Sequence, residues 1–179
     1  MASIWKDLRI DLARLARVPL PRSKIVVLAL TNRGFHAVLL YRFAHALRRQ
    51  NVPLWPLILA RLSQLLFAID ISPSAQLGPG IVIIHGFGIV IGDKVKIEGD
   101  CYLYHGVTLG VRGVRWIDAS RVEGHPYVER GVLFGAGAKV LGPIRIGRGS
   151  IVGANAVVIE DVPPRAVVAG VPARIVRQR

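Results

Sequence analysis

Thirteen residues at positions 80 to 92, Gly-Ile-Val-Ile-Ile-His-Gly-Phe-Gly-Ile-Val-Ile-Gly, hold a single ionisable group, His85, among apolar and glycine residues. An imidazole, with an unperturbed pKa near about 6.5, exchanges protons at neutral pH and also binds metal ions. Two more histidines, His105 and His125, follow at intervals of twenty. Evenly spaced imidazoles leave two chemistries open: proton transfer at one of them, or a zinc ion shared by all three. Cys101 is the only cysteine, which excludes an intrachain disulfide and a thiolate metal cluster.

The elements that must position these groups are legible in the spacing of the aliphatic residues. From Asp70 onward they recur every six positions: Ile71, Leu77 and Ile83, then after a shift of two Ile91, Ile97, Leu103 and Leu109. A second run gives Val128, Phe134, Val140, Ile146, Val152 and Val158. Two positions earlier the residue is usually small or β-branched, as at Ala75, Val95, Cys101, Ala138 and Ser150, and glycine often follows the aliphatic. A period of six fits neither a helix nor a hairpin sheet. It is the mark of hexapeptide-repeat β-helices, in which three short strands per coil form a triangular prism and aliphatic side chains stack at its inner corners. Cys101 lies in the small-residue column and is expected in the core.

The period breaks twice. Two extra residues lie beside His85, and residues 110 to 128, GVRGVRWIDASRVEGHPYV, leave the repeat entirely while carrying Trp116 and His125. A stacked solenoid gains nothing from such interruptions, and loops on rigid scaffolds are where function concentrates.

The first part of the chain has a different period. Residues 24 to 50 place apolar side chains three and four apart, with Arg42, Arg48 and Arg49 off the stripe, which predicts a helix broken near Asn32 and Gly34. Residues 57 to 69, LILARLSQLLFAI, predict another helix, too short for a membrane span. His36 and His45 sit inside this pattern and are expected to be structural. Residues 1–69 therefore form a helical region, and residues 70–179 the β-helix, with a projecting loop at 111–127.

Of the net charge of +13 on 179 residues, +9 falls within residues 1–69. Such a basic half suits nucleic acid, an anionic membrane or a polyanionic substrate. No zinc finger or aromatic RNA-binding signature accompanies it, so no nucleic acid partner is expected. The opening residues MASIWKDLRIDLARLARVPL lack the apolar core of a secretory signal, and a cytoplasmic location is expected, with the basic helices able to rest on the inner face of a membrane.

The run DISPSAQLGPGIVIIHGFGIVIG, followed by YHGVTLG, GHP and GVLFGAGAKVLGPIRIGRGSIVGANAVVIEDVPPRAVVAGVPARIV, resembles the serine acetyltransferase family of hexapeptide acyltransferases. The resemblance implies a left-handed parallel β-helix and a homotrimer, with acetyl-CoA between neighbouring prisms and no metal. Trimers could pair through the N-terminal helices. It places the general base on His85, its orienting carboxylate on Asp70, and a further site histidine, supplied by an adjacent subunit, on His125. Backbone groups at Gly110 would face the developing oxyanion, those at Ala136 and Ala154 the pantetheine arm, and Arg174 the nucleotide phosphates or solvent.

Three departures bear on the acceptor. The family has Asp where this chain has Ile84, Arg where it has Gly124, and an upstream Asp-Pro pair where it has Val18-Pro19. Serine carries an ammonium and a carboxylate, and desolvating either without a partner costs several kcal/mol. That argument predicts a neutral hydroxyl as acceptor, on a sugar or lipid-linked sugar of exopolysaccharide or glycolipid synthesis. Trp116 would then either stack on the sugar or pack the loop against the prism. Serine O-acetylation is the alternative; a metal enzyme similar to γ-class carbonic anhydrases and a non-catalytic trimeric scaffold are the remaining classes.

Overall fold

The computed structural model describes residues 2–16, 20–113 and 124–178. Its larger part is a parallel β-helix with three faces. The first face stacks β1 (Ile69–Ile71), β4 (Ile89–Ile91), β7 (Thr108–Gly110), β10 (Lys139–Leu141) and β13 (Val157–Val158). The second stacks β2 (Gln76–Leu77), β5 (Lys96–Ile97), β8 (Tyr127–Val128) and β11 (Arg145–Ile146). The third stacks β3 (Val82–Ile84), β6 (Tyr102–Tyr104), β9 (Leu133–Phe134), β12 (Ile151–Val152) and β14 (Ala166–Gly170), and ends on the antiparallel β15 (Ala173–Gln178).

Every aliphatic of the six-residue series is buried, and so are the small residues two positions before, Cys101 among them. The register stacks them in columns, for example Ile83 with Leu103, Phe134 and Val152. Each such side chain contributes about 1.5–3 kcal/mol by leaving water. Burial pushes the Cys101 thiol up to about 12, so it is an inert core residue.

The corner joining the third face to the first is built the same way in every coil. Gly88 N–H donates to the Ala68 carbonyl, Gly106 to Phe87, Gly137 to His105 and Asn155 to Ala136, each at 2.8 Å. Ala68, Gly88, Gly106, Gly137 and Asn155 all have positive φ, a conformation that glycine adopts without penalty.

Among the described residues four helices precede the prism: α1 (Ala2–Ala16), α2 (Arg22–Thr31), α3 (Arg33–Arg49) and α4 (Trp55–Phe67). The expected break falls at Asn32, whose side chain accepts from Phe35 N–H at 2.8 Å and caps α3. The last two residues of the predicted helix leave it: Ala68 turns left-handed and Ile69 opens β1.

These helices close the open end of the prism through side chains that bond the backbone of its first coil. Ser63 Oγ donates to the Ile69 carbonyl at 3.0 Å, His45 Nδ1 to Pro73 at 3.0 Å, and Tyr41 OH to Ala75 at 2.8 Å while accepting from Leu77 N–H. Arg42 donates to the carbonyls of Leu77 and Gly78 and pairs with Asp11, which accepts from Gly80 N–H at 2.7 Å and Ile81 N–H at 2.9 Å. Arg42, expected off the apolar stripe and hence in solvent, is only 6% exposed because the coil's unpaired carbonyls need its donors more than water does. His36 and His45 are structural, the former bonded to the Ala29 carbonyl. Apolar side chains of α2 (Val26, Val27, Leu30) and α4 (Leu57, Leu65, Leu66) remain exposed. No single helix is long and apolar enough to cross a membrane; α2 and α3 together pass that test only across a 76° bend.

Candidate functional site

His85 follows β3 directly, at the corner where the first coil is two residues longer than the one above. Ile84 pairs with Tyr104, yet four residues separate it from Ile89, whereas two separate Tyr104 from Val107. The extra length puts the exposed His85 on a bulge in the left-handed conformation, with φ of 53°. Gly86 lets the bulge lie flat on the prism, since a Cβ there would stand 2.7 Å from Ile69 Cδ1 and 2.9 Å from Ile83 Cγ2.

Asp70 is the outward residue of β1, between the buried Ile69 and Ile71, and two positions past the Ala68 carbonyl that anchors the bulge. The carboxylate and the imidazole thus belong to one corner of one coil. Among the described residues neither side chain makes a hydrogen bond, which leaves both free to engage a ligand.

Above His85 the same edge carries His105, then Ala136, then Ala154, each immediately before the left-handed residue of its coil. At the top, Ala169 lies over Gly153 and pairs with Arg174, whose guanidinium meets Glu160 at 3.5 Å. Five expected site positions, Asp70, His85, Ala136, Ala154 and Arg174, therefore lie along one edge of the prism. Its small residues leave a strip of backbone accessible to an extended ligand.

Gly110 and His125 lie elsewhere. Both are at the corner between the first and second faces, where the long loop departs and returns. Three strand residues, about 10 Å at 3.3 Å each, separate that corner from the His85 edge. Within one chain they cannot serve an acetyl group held at His85. Partial burial pushes the His125 imidazole below the ordinary histidine range, with Asp93 opposing and Lys94 reinforcing the shift. Among the described residues nothing stands within 4 Å of a Cβ at Gly110, and a side chain at the exposed Gly124 would approach Pro143 Cβ to 3.1 Å. Ile84 is half-buried at the foot of the edge. Trp116 and the Val18-Pro19 pair lie outside the described residues.

In the sequence His105 stands out only by a twenty-residue spacing and by its place in the run YHGVTLG. Its place beside His85 follows from the register of β3 and β6, which the six-residue pattern alone does not disclose across a two-residue shift. Asp11 likewise goes unremarked as a partner, although Asp7 and Asp11 are the only carboxylates against eleven cations up to residue 69.

A parallel hexapeptide solenoid with a helical cap and a histidine on its broken corner defines the class, a hexapeptide-repeat transferase. Residues 125–160 match the family model "Bacterial transferase hexapeptide (six repeats)". The chain is similar to the serine acetyltransferase of Synechococcus elongatus, 43% identical over 160 residues that make up 89% of this chain and 63% of that one. It is also similar to the crystal structure of the Brucella abortus serine acetyltransferase in complex with coenzyme A, with a TM-score of 0.89 and 36% identity over 99% of this chain and 69% of that one. The Neisseria gonorrhoeae enzyme in complex with serine gives a TM-score of 0.86 at 33% identity, over 97% and 69%. The chain belongs to the serine acetyltransferase family. It spans about three fifths of the length of the first curated relatives it matches.

These likenesses overturn the sugar hydroxyl expected as acceptor from Ile84, Gly124 and Val18-Pro19, and with it the polysaccharide or lipid-linked setting. The physical reason is one of proportion. Three missing charges alter how firmly a substrate's ends are held, whereas identity across most of the chain reflects the whole scaffold.

Proposed function

We propose that this protein transfers an acetyl group from acetyl-CoA to the hydroxyl of serine. The observation that carries this reading is the single edge on which Asp70, His85, Ala136, Ala154 and Arg174 lie, in a chain whose family relatives have been crystallised with coenzyme A and with serine.

On this reading His85 removes the proton from the serine hydroxyl as the oxygen attacks the thioester carbon. An alcohol is a poor nucleophile while it keeps its proton, and a positioned base accelerates such steps by about 10²–10⁴-fold. Asp70 orients the ring through its other nitrogen and steadies the imidazolium. The proton then passes to the sulfur of the departing coenzyme A, so no covalent acyl-enzyme forms. Ala136 and Ala154 offer backbone to the pantetheine arm, and Arg174 offers charge to the phosphates, exchanging Glu160 for them.

His125 and Gly110 join the site only from a neighbouring copy whose loop corner meets the His85 edge. We therefore assign a homotrimer, in which each of three equivalent contacts completes one site. The exposed apolar faces of α2 and α4 suit pairing between trimers.

The test is direct. Incubated with acetyl-CoA and serine, the protein should release free thiol in step with O-acetylserine detected by mass spectrometry. Absence of acetylserine under conditions where coenzyme A binds calorimetrically would refute the acceptor assignment.

A further inference from the structure

Two exposed histidines enter the foot of the edge from adjacent coils, and transfer by a single base uses one. Ile84 and Tyr104 are register partners in adjacent coils, and His85 and His105 are the residues immediately after them. Their backbones therefore enter the corner one strand spacing apart, about 4.8 Å. The His105 main chain is fixed, its carbonyl accepting from Gly137 N–H at 2.8 Å while Gly106 N–H donates to Phe87 at 2.8 Å. Its ring is exposed, and among the described residues it makes no hydrogen bond.

The neighbours on the edge offer little competition. Gly106, Ala136, Gly137 and Ala154 have no side-chain donor. Lys139, on the adjoining face, gives its Nζ to the carbonyls of Gly106 at 2.6 Å and Gly137 at 2.9 Å. A thioester held along this edge, with its acyl carbon at His85 and its pantetheine running toward Ala136, passes its sulfur across His105.

We propose that His105 is a second catalytic residue, donating a ring N–H hydrogen bond to the thioester sulfur as the C–S bond breaks. The inference rests on the reading of this edge as the acetyl-CoA site. The steps balance without a further reagent. The hydroxyl proton moves to His85 as the O–C bond forms, the tetrahedral centre expels the thiolate, and the proton on His85 moves to sulfur. His105 donates a hydrogen bond throughout and ends unchanged, since either protonation state of imidazole carries an N–H. A thiolate leaving a site poor in water needs such a donor, as an oxyanion does.

The experiment compares His105→Leu, which removes the donor, with His105→Gln, which keeps one, in thiol release from acetyl-CoA and in calorimetric binding of coenzyme A. Loss of one donor to developing charge typically costs about 10²-fold in kcat, and that loss is expected for the leucine variant. The glutamine variant should lose less than about 10-fold, as the donor is retained. The Kd for coenzyme A and the Tm should hold in both, which a merely structural role would not allow. A leucine variant within twofold of wild-type kcat, or a glutamine variant as slow as leucine, overturns the assignment. Absence of acetyl-CoA-dependent thiol release in the wild type would instead overturn the reading beneath it.

Discussion

Ile84 and His125 carry the residue-scale predictions. Ile84 offers no charge to the ammonium of serine, and a hydrogen bond to a charged group contributes about 1.5–3 kcal/mol. Ile84→Asp should therefore lower KM for serine by about 10-fold or more while changing kcat less; steady-state kinetics reporting an unchanged KM would show that serine's ammonium is met elsewhere. His125 titrates below an ordinary histidine because it is partly buried. The unfolded chain thus takes up this proton first as the pH falls. The stability it contributes is fully present above the unfolded pKa of about 6.5 and is lost through the interval down to the lower folded value. Melting temperatures across that interval should fall more steeply for the wild type than for His125→Gln, and parallel curves would contradict the shift.

At the scale of elements, the helical cap is held by side chains that complete the hydrogen bonding of the first coil. Arg42→Met would leave the Asp11 carboxylate buried without its cation, at a cost of about 3–5 kcal/mol. Replacing both residues by apolar ones should cost much less, and chemical denaturation of the three variants separates the cases; a single variant within about 1 kcal/mol of wild type would mean that water enters the cap. This latch marks the limit of what spacing discloses. The solenoid was legible because one inward position in each six must be large and apolar for coils to stack, which imprints the period on Ile71 through Val158. The break at Asn32 was legible from turn chemistry. Arg42 was not, because helical periodicity records which side chains avoid water and not which backbone carbonyls await a donor. His85 announced itself by breaking the period, whereas His105 keeps to it and becomes visible only once β3 and β6 are paired. Ile84, Gly124 and Val18-Pro19 point away from a charged acceptor and the whole-chain likeness points toward one, because absent charges record how firmly a substrate is gripped and not which substrate the scaffold serves.

For the whole molecule, the two corners of the first face set a constraint. His85 and His125 stand on different edges, so a site needing both joins one copy's edge to another's corner. Co-expression of His85→Ala and His125→Ala chains should then restore activity that neither has alone, because in mixed trimers one interface receives both wild-type residues. Absence of rescue in trimers shown to be mixed would place the two functions in separate sites.

The central claim is that His85 is the base of an acetyl transfer from acetyl-CoA to serine. Thiol release under saturating substrates, for the wild type and for His85→Ala with coenzyme A binding verified, tests it most directly. The predicted result is a loss of about 10²–10⁴-fold in kcat with the Kd for coenzyme A retained. Undiminished turnover in His85→Ala would contradict it.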